Sequence, residues 1–175
     1  MKEIRLIPVT ESEKVRLFRD VQNSFQSGFE AVFGECAGTI LPEQDIEYSF
    51  SAPNAESYFA ILDGEVVGGA IITVNKKSGI NHLDFLYVNA GCQNHGVGMG
   101  IWKNIERLHP ETKVWETHTP YFDKRNIHFY INKLGFHIVE FYNARHKDPN
   151  YKDVAVEETR GDIDEDLFRF EKVMR

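Results

Sequence analysis

Cysteine is scarce in this chain: Cys36 and Cys92 are the two among its 175 residues. A disulfide framework needs more, so both read as reduced thiols and the chain as cytoplasmic. Long apolar runs are lacking too. A run such as Val66-Val67-Gly68-Gly69-Ala70-Ile71-Ile72 falls well short of the roughly 20 residues a membrane-spanning helix requires. The start, Met1-Lys2-Glu3-Ile4-Arg5, carries no apolar core of a signal peptide. Positive charge is in deficit: 20 Lys and Arg stand against 27 Asp and Glu, a net charge of −7. That argues against non-specific nucleic-acid binding, which depends on clustered Lys and Arg. Repeats and low-complexity tracts are absent as well.

What is present is an ordinary globular composition. Hydrophobic residues make up 42% and aromatics 13%, including 13 Phe, which suits one sizeable core and excludes wholesale disorder. The acidic excess is uneven. Residues 1–80 carry 7 basic and 12 acidic side chains, residues 81–150 carry 8 and 7, and residues 151–175 carry 5 and 8. The near-neutral middle is therefore where an anionic ligand would sit, and the acidic flanks favour a cationic one.

Ile4 to Val9 reads as a strand. Thr10 and Glu13 form a capping-box pattern that opens a helix with Val15, Phe18, Val21, Phe25, Phe29 and Val32 on its apolar face. Gly28 is a place where that helix could break. Pro42 suits the first turn of a second helix, with Ile46 and Phe50 inward. Ser57 to Leu62 and Glu65 to Val74 read as strands joined by the Asp63-Gly64 hairpin, and Ile80 to Val88 as a third. A loop from Asn89 to Gly98 precedes a helix with Ile101, Ile105 and Leu108 on one face. Lys113 to Thr117 is a strand and Lys124 to Leu134 a helix capped by Gly135. Phe136 to Tyr142 is a strand, 143–166 is polar and acid-rich, and Leu167 to Val173 alternates like a last, edge-like strand. The order predicts one mixed α/β (α+β) domain over residues 1–175.

The most informative stretch is Val88-Asn89-Ala90-Gly91-Cys92-Gln93-Asn94-His95-Gly96-Val97-Gly98-Met99-Gly100. A strand ends, a glycine-rich loop turns and a helix begins, so free amides and the helix dipole converge on the loop. Glycines let the backbone come close to a phosphate. The dinucleotide pattern fails at Ile101, where a third glycine belongs, and the P-loop pattern lacks its Lys. The segment does read Gln93-x-x-Gly96-x-Gly98. This resembles the Gln/Arg-x-x-Gly-x-Gly/Ala signature of the GNAT acyltransferase superfamily. Arg125 to Phe136, an Asn-containing helix running Phe129-Tyr130 toward Gly135-Phe136, is similar to the family's second signature. The order of elements follows the family over nearly the whole chain.

The resemblance implies a largely antiparallel mixed sheet flanked by helices on both faces, with acetyl-CoA as donor and no metal. It implies that the backbone of Leu86, Tyr87 and Val88 holds the pantetheine arm. The amides of Gln93, Asn94, His95, Gly96, Val97 and Gly98 would cradle the pyrophosphate, with Met99 and Gly100 at the helix start. Gly100 has helix packing as its alternative use. Asn126 and Phe129 complete the cofactor site. The thioester would lie where the strand of Val88 parts from the strand of Trp115. Tyr130 matches the family's general acid, although four residues separate it from Gly135 where three are usual. One extra residue turns a helical side chain by about 100°, and a helix bulge would restore the aim. The general base stays open. His82 and Asp84 are the candidates on the strand, placed on one face with Leu86 and Val88 by the period of two, and Glu116 is a weaker third. Cys92 reads as a passive thiol, and no His or Cys spacing points to a metal.

These residues lead to an N-acetyltransferase acting on a primary amine of a small molecule or peptide, by direct transfer in a ternary complex. The alternative is a non-catalytic acyl-CoA-binding module of the same fold. An edge-like last strand would permit a homodimer.

Overall fold

The computed structural model describes residues 3–150 and 166–175. Seven strands form one sheet, ordered β1-β2-β3-β4-β5-β7-β6. They are β1 (Arg5–Pro8), β2 (Ala55–Leu62), β3 (Glu65–Thr73), β4 (Ile80–Val88), β5 (Val114–Pro120), β6 (His137–Tyr142) and β7 (Leu167–Val173). Every pairing is antiparallel except β4 with β5. The helices are α1 (Lys14–Phe33), α2 (Glu43–Phe50), α3 (Val97–Leu108) and α4 (Lys124–His128), the last continuing as a π-helical segment over Phe129–Lys133. Among the described residues no helix is long and apolar enough to cross a membrane.

Local chemistry accounts for most of these boundaries. The Thr10 amide donates to Glu13 Oε2 at 2.9 Å, the expected capping box, and a short 3₁₀ turn over Glu11–Glu13 leads into α1. Asp63 and Gly64 both take positive φ, 53° and 86°, as a two-residue hairpin turn requires. α1 runs unbroken through Gly28. Its apolar face is narrower than its pattern suggested. Leu17, Phe18 and Val21 are buried, whereas Val15 and Val32 are 79% and 68% exposed. Leu108, at the end of α3, is likewise half exposed.

The last strand is not an edge. β7 inserts between β5 and β6, pairing Phe170 with Thr117 on one side and with Ile138 on the other. β6 forms the edge instead. Alternation along β7 correctly reports one buried face, since Phe170 is fully buried. It carries no information about how many neighbours hydrogen-bond the backbone. The support for a homodimer drawn from an exposed last strand is therefore withdrawn.

The sheet separates two apolar clusters. One, under α3 and the π-helical segment, includes Leu83, Ile101, Trp102, Trp115, Tyr130 and Phe136. The other, under α1 and α2, includes Leu17, Phe18, Ile46, Ile71 and Tyr87. Packing is tight where β3 passes β4. A Cβ on Gly68 would stand 2.3 Å from the Tyr87 carbonyl oxygen, so no larger residue fits without moving backbone.

Candidate active site

β4 and β5 pair only over Ile80–Leu83 and Val114–Thr117. Beyond Leu83 and Thr117 the two parallel strands part, and a fork opens in the middle of the sheet. The Asn89 amide donates to the Val67 carbonyl at 2.9 Å, and Tyr87 stands opposite Gly69. Antiparallel ladders alternate, so Tyr87 turns its backbone groups toward β3 while Leu86 and Val88 turn theirs into the fork. Of the three residues expected to hold a pantetheine arm, Leu86 and Val88 face the gap. The Val88 carbonyl also accepts a hydrogen bond from Ser24 Oγ at 3.0 Å. Tyr87 faces away, and its ring is buried under α1 with the hydroxyl lacking a partner among the described residues.

A β-bulge changes a second expectation. Ile71 pairs with Phe85 and Ile72 with Leu83, leaving Asp84 as an extra residue. A bulge resets the alternation of faces. Leu83, Leu86 and Val88 therefore pack with the α3 cluster, and Phe85 and Tyr87 with the α1 cluster. His82 and Asp84 do share a face, with His82 Nδ1 3.3 Å from Asp84 Oδ1. They do not share it with Leu86 and Val88, as strict period two required.

The glycine loop lies at the mouth of the fork. Asn94 and Gly96 take positive φ, 65° and 75°. Gly96 caps α3 without any side-chain hydrogen bond. The amides of Val97, Gly98 and Met99 therefore begin the helix with no intrahelical acceptor and aim at the loop. A Cβ on Gly98 would meet the Phe129 ring at 3.0 Å and Val88 Cγ2 at 3.7 Å. The two signature segments thus touch here. Gly100 serves packing, since a Cβ there would lie 2.6 Å from Ile4 Cδ1. His95 is exposed, and Cys92 packs against the core as a free thiol. Gln93 Oε1 accepts from Arg125 Nη1 at 2.8 Å, which brings a guanidinium to the loop. Asn126 is committed to capping α4: its amide donates to Asp123 Oδ1 at 3.0 Å and its Nδ2 to Oδ2 at 2.8 Å. Burial raises the Asp123 carboxyl above its usual range, partly opposed by the Asn126 hydrogen bond.

Tyr130 sits in the π-helical segment, where the Leu134 amide reaches back five residues to the Phe129 carbonyl at 3.0 Å. The wide turn absorbs the additional residue before Gly135, as the spacing required. The phenol is buried close to the hydroxyls of Thr117 and Thr119. Thr117 Oγ1 donates to the Leu83 carbonyl at 2.8 Å, so this contact marks the apex of the fork. Burial pushes Tyr130 up to about 12, opposed by the Thr117 hydroxyl, with smaller effects from Asp123 upward and Thr119 downward. The phenol therefore keeps its proton across the working range.

The opposite face of the apex carries a group that the sequence did not reveal. His82 Nε2 and His118 Nδ1 are 2.9 Å apart. Asp84, in turn, accepts from Thr73 Oγ1 at 2.9 Å and from Ser49 Oγ at 3.4 Å. His118 Nε2 lies 3.6 Å from Asp148 Oδ2. Burial, then His82, push His118 down to about 4. His118 and Asp148 have no motif; the alternation along β5, with Trp115, Thr117 and Thr119 inward, is the one signal that would set Glu116 and His118 on the other face. Glu116 itself is held by Arg169 Nη1 at 3.0 Å, which makes it a structural ion pair. Phe25 meets Phe85 at 5.8 Å, and Phe29 meets Phe122 at 5.6 Å, so aromatic rings join the end of α1 to the strands flanking the fork. Among the described residues no cluster of three His, Cys, Asp or Glu is arranged to hold a metal.

Known proteins resemble this chain in sequence or in fold. Residues 18–136 match the Acetyltransferase (GNAT) family. YrkN of Bacillus subtilis (strain 168), an uncharacterized protein, is 42% identical over 167 residues, 94% of this chain and 90% of that one. The ribosomal-protein-S18-alanine N-acetyltransferase of Escherichia coli has a similar structure, with TM-score 0.68 at 12% identity, covering 97% of this chain and 93% of that one. A GNAT family acetyltransferase from Elizabethkingia anophelis with acetyl-CoA bound gives TM-score 0.68 at 16% identity, over 98% and 99% of the two chains. At such identities the solved structures establish a common fold.

Proposed function

The chain belongs to the GNAT acetyltransferase family, and from that premise we propose that it transfers the acetyl group of acetyl-CoA to a primary amine on a small molecule or peptide. One observation carries the reading. The fork between β4 and β5 has a protonated phenol on one face and an imidazole pair on the other, with a glycine loop at its mouth.

The loop amides from Gln93 to Met99, with Arg125 beside them, suit a pyrophosphate. Gly98 leaves the room that a side chain would take from Phe129. The outward backbone groups of Leu86 and Val88 suit the amides of the pantetheine arm. The acetyl-CoA bound by the Elizabethkingia relative agrees with this assignment. Acetyl-CoA supplies an activated thioester. The chain's part is to orient it, to deprotonate the incoming ammonium and to protonate the departing sulfur. Tyr130 is the acid in this scheme. His82, with Asp84 behind it, is the base.

Two measurements test the reading. Acetyl-CoA should raise the melting temperature, because a ligand at 100 times its dissociation constant stabilises the folded state by about 2.7 kcal/mol. A thiol-release screen over primary amines should then find an acceptor. No thermal shift at millimolar acetyl-CoA refutes the cofactor assignment. A shift without thiol release from any amine leaves a binding module and refutes the enzyme.

A further inference from the structure

We infer that His82 and His118 act as one proton-accepting unit, set between Asp84 and Asp148, which takes a single proton from the acceptor ammonium. The inference rests on the transferase reading above and adds His118 and Asp148 as positioning residues.

The number of ring nitrogens limits how many protons the row can hold. The two rings offer four nitrogens in a row: His82 Nδ1 near Asp84, Nε2 and Nδ1 facing each other, and His118 Nε2 near Asp148. A neutral pair carries two N–H groups. One lies between the rings, or the pair does not bond. The other can then serve one carboxylate only, so a nitrogen lone pair faces the second carboxylate. The observed geometry has this unfinished character. The rings are 2.9 Å apart, whereas the outer contacts are 3.3 Å and 3.6 Å, longer than a formed N–H···O bond. His82 Nδ1 is buried with no hydrogen-bond partner among the described residues.

One added proton completes the row. Three N–H groups then point to Asp84, to the neighbouring ring and to Asp148, and the positive charge lies between two carboxylates. A fourth proton would set two N–H groups against each other across 2.9 Å. The capacity is therefore one. The groups around His118 act in both directions. Burial and then His82 oppose a proton on it, and Asp148 and Asp84 favour one. Arg169 also opposes it, but its guanidinium is held by Glu116 and Glu171 at 3.0 and 2.6 Å. Tyr142 stacks on both His118 at 6.3 Å and His146 at 5.6 Å. Thr73 and Ser49 fix Asp84.

The pair stands at the fork apex, where His82 and Leu83 end the β4–β5 ladder. The reaction then balances. The ammonium gives one proton, through one water, to His118 Nε2 when that outer nitrogen carries no hydrogen, and its freed lone pair attacks the thioester carbonyl carbon. The carbon–nitrogen bond forms and the carbon–sulfur bond breaks. The second nitrogen proton reaches the sulfur by way of Tyr130, and the pair returns its own proton to solvent.

Nitrogen-15 NMR of histidine-labelled full-length protein reads the pair without any substrate. We expect both rings to respond to a single proton taken up between them as the pH is lowered. Independent titration of each ring, or uptake of two protons, overturns the inference. Kinetics with the amine found by thiol release supply the second readout. His118→Phe keeps the stacking on Tyr142 and removes the ring nitrogens. It should lower kcat/KM by about 100-fold and change its pH profile, with the acetyl-CoA Kd unaltered. His118→Asn, whose amide oxygen can still accept from His82 Nε2, should recover part of the loss. A His118→Phe variant with the wild-type rate and profile overturns the role of His118 while the transferase reading stands. Absence of thiol release from wild type overturns both.

Discussion

Replacing Tyr130 by Phe removes one oxygen and little else. The ring packs on Phe129, Phe136 and Phe170 at 5.8, 5.7 and 5.7 Å, and phenylalanine keeps those contacts. Thr117 keeps its own acceptor, the Leu83 carbonyl at 2.8 Å. The stability lost is that of a neutral hydrogen bond, about 0.5–1.5 kcal/mol. For a chain of this size that is a fall in Tm of roughly 1–6 °C. The catalytic loss is much larger if the phenol is the acid: about 100–10,000-fold in kcat, equivalent to about 3–5 kcal/mol of barrier. The two effects differ enough to be read separately. The assay is thiol release at saturating acetyl-CoA and amine, beside calorimetric affinity for acetyl-CoA and a melting curve. We expect kcat to fall at least about 100-fold, with unchanged affinity and a small thermal shift. A variant with kcat within about threefold of wild type refutes the acid role, since that is less than 1 kcal/mol of barrier. The wild type offers a second check. Burial pushes the phenol up to about 12, above the roughly 10 of an unfolded tyrosine. The unfolded chain therefore loses its proton first, and stability should decline as the pH rises from 10 toward 12.

Other substitutions test other parts of the site and scaffold. Gly98→Val places methyl groups against a ring already 3.0 Å from an added Cβ; isothermal titration should show acetyl-CoA affinity weakened at least about tenfold, equivalent to 1.4 kcal/mol, and unchanged affinity refutes the loop assignment. Gly68→Ala drives a Cβ to 2.3 Å from the Tyr87 carbonyl oxygen, so denaturant unfolding should report a loss of about 2 kcal/mol or more; a neutral outcome means that β3 and β4 separate easily. Asp123→Ala removes both acceptors that cap α4 and should lower stability by about 1 kcal/mol, read as a lower denaturation midpoint at unchanged slope.

The candidate site was legible where its chemistry is local. Gln93 to Gly98 stand together in the chain, and glycine spacing, strand end and helix start all point to the same proposed anion loop. The extra residue between Tyr130 and Gly135 even called for the wide turn that the helix adopts. The region proposed for the base was legible in part. His82 and Asp84 were visible on one strand, but the partner of His82 lies 36 residues away. No local pattern joins residues brought together by a parallel β4–β5 pairing. Asp148 enters from a third segment and carries no motif.

Composition, periodicity and turn chemistry determined the elements by themselves, because capping, hairpin geometry and amphipathic spacing act within a few residues. The order of elements and two short signatures determined the family. Tertiary structure alone decided the rest. It placed β7 inside the sheet, since neighbour number depends on which edge the returning chain meets. It turned Leu86 and Val88 away from His82 and Asp84, since one bulged residue resets every face after it. It assembled Asp84, His82, His118 and Asp148 into one row, since only the β4–β5 pairing and the return of a later segment bring side chains from three parts of the chain together.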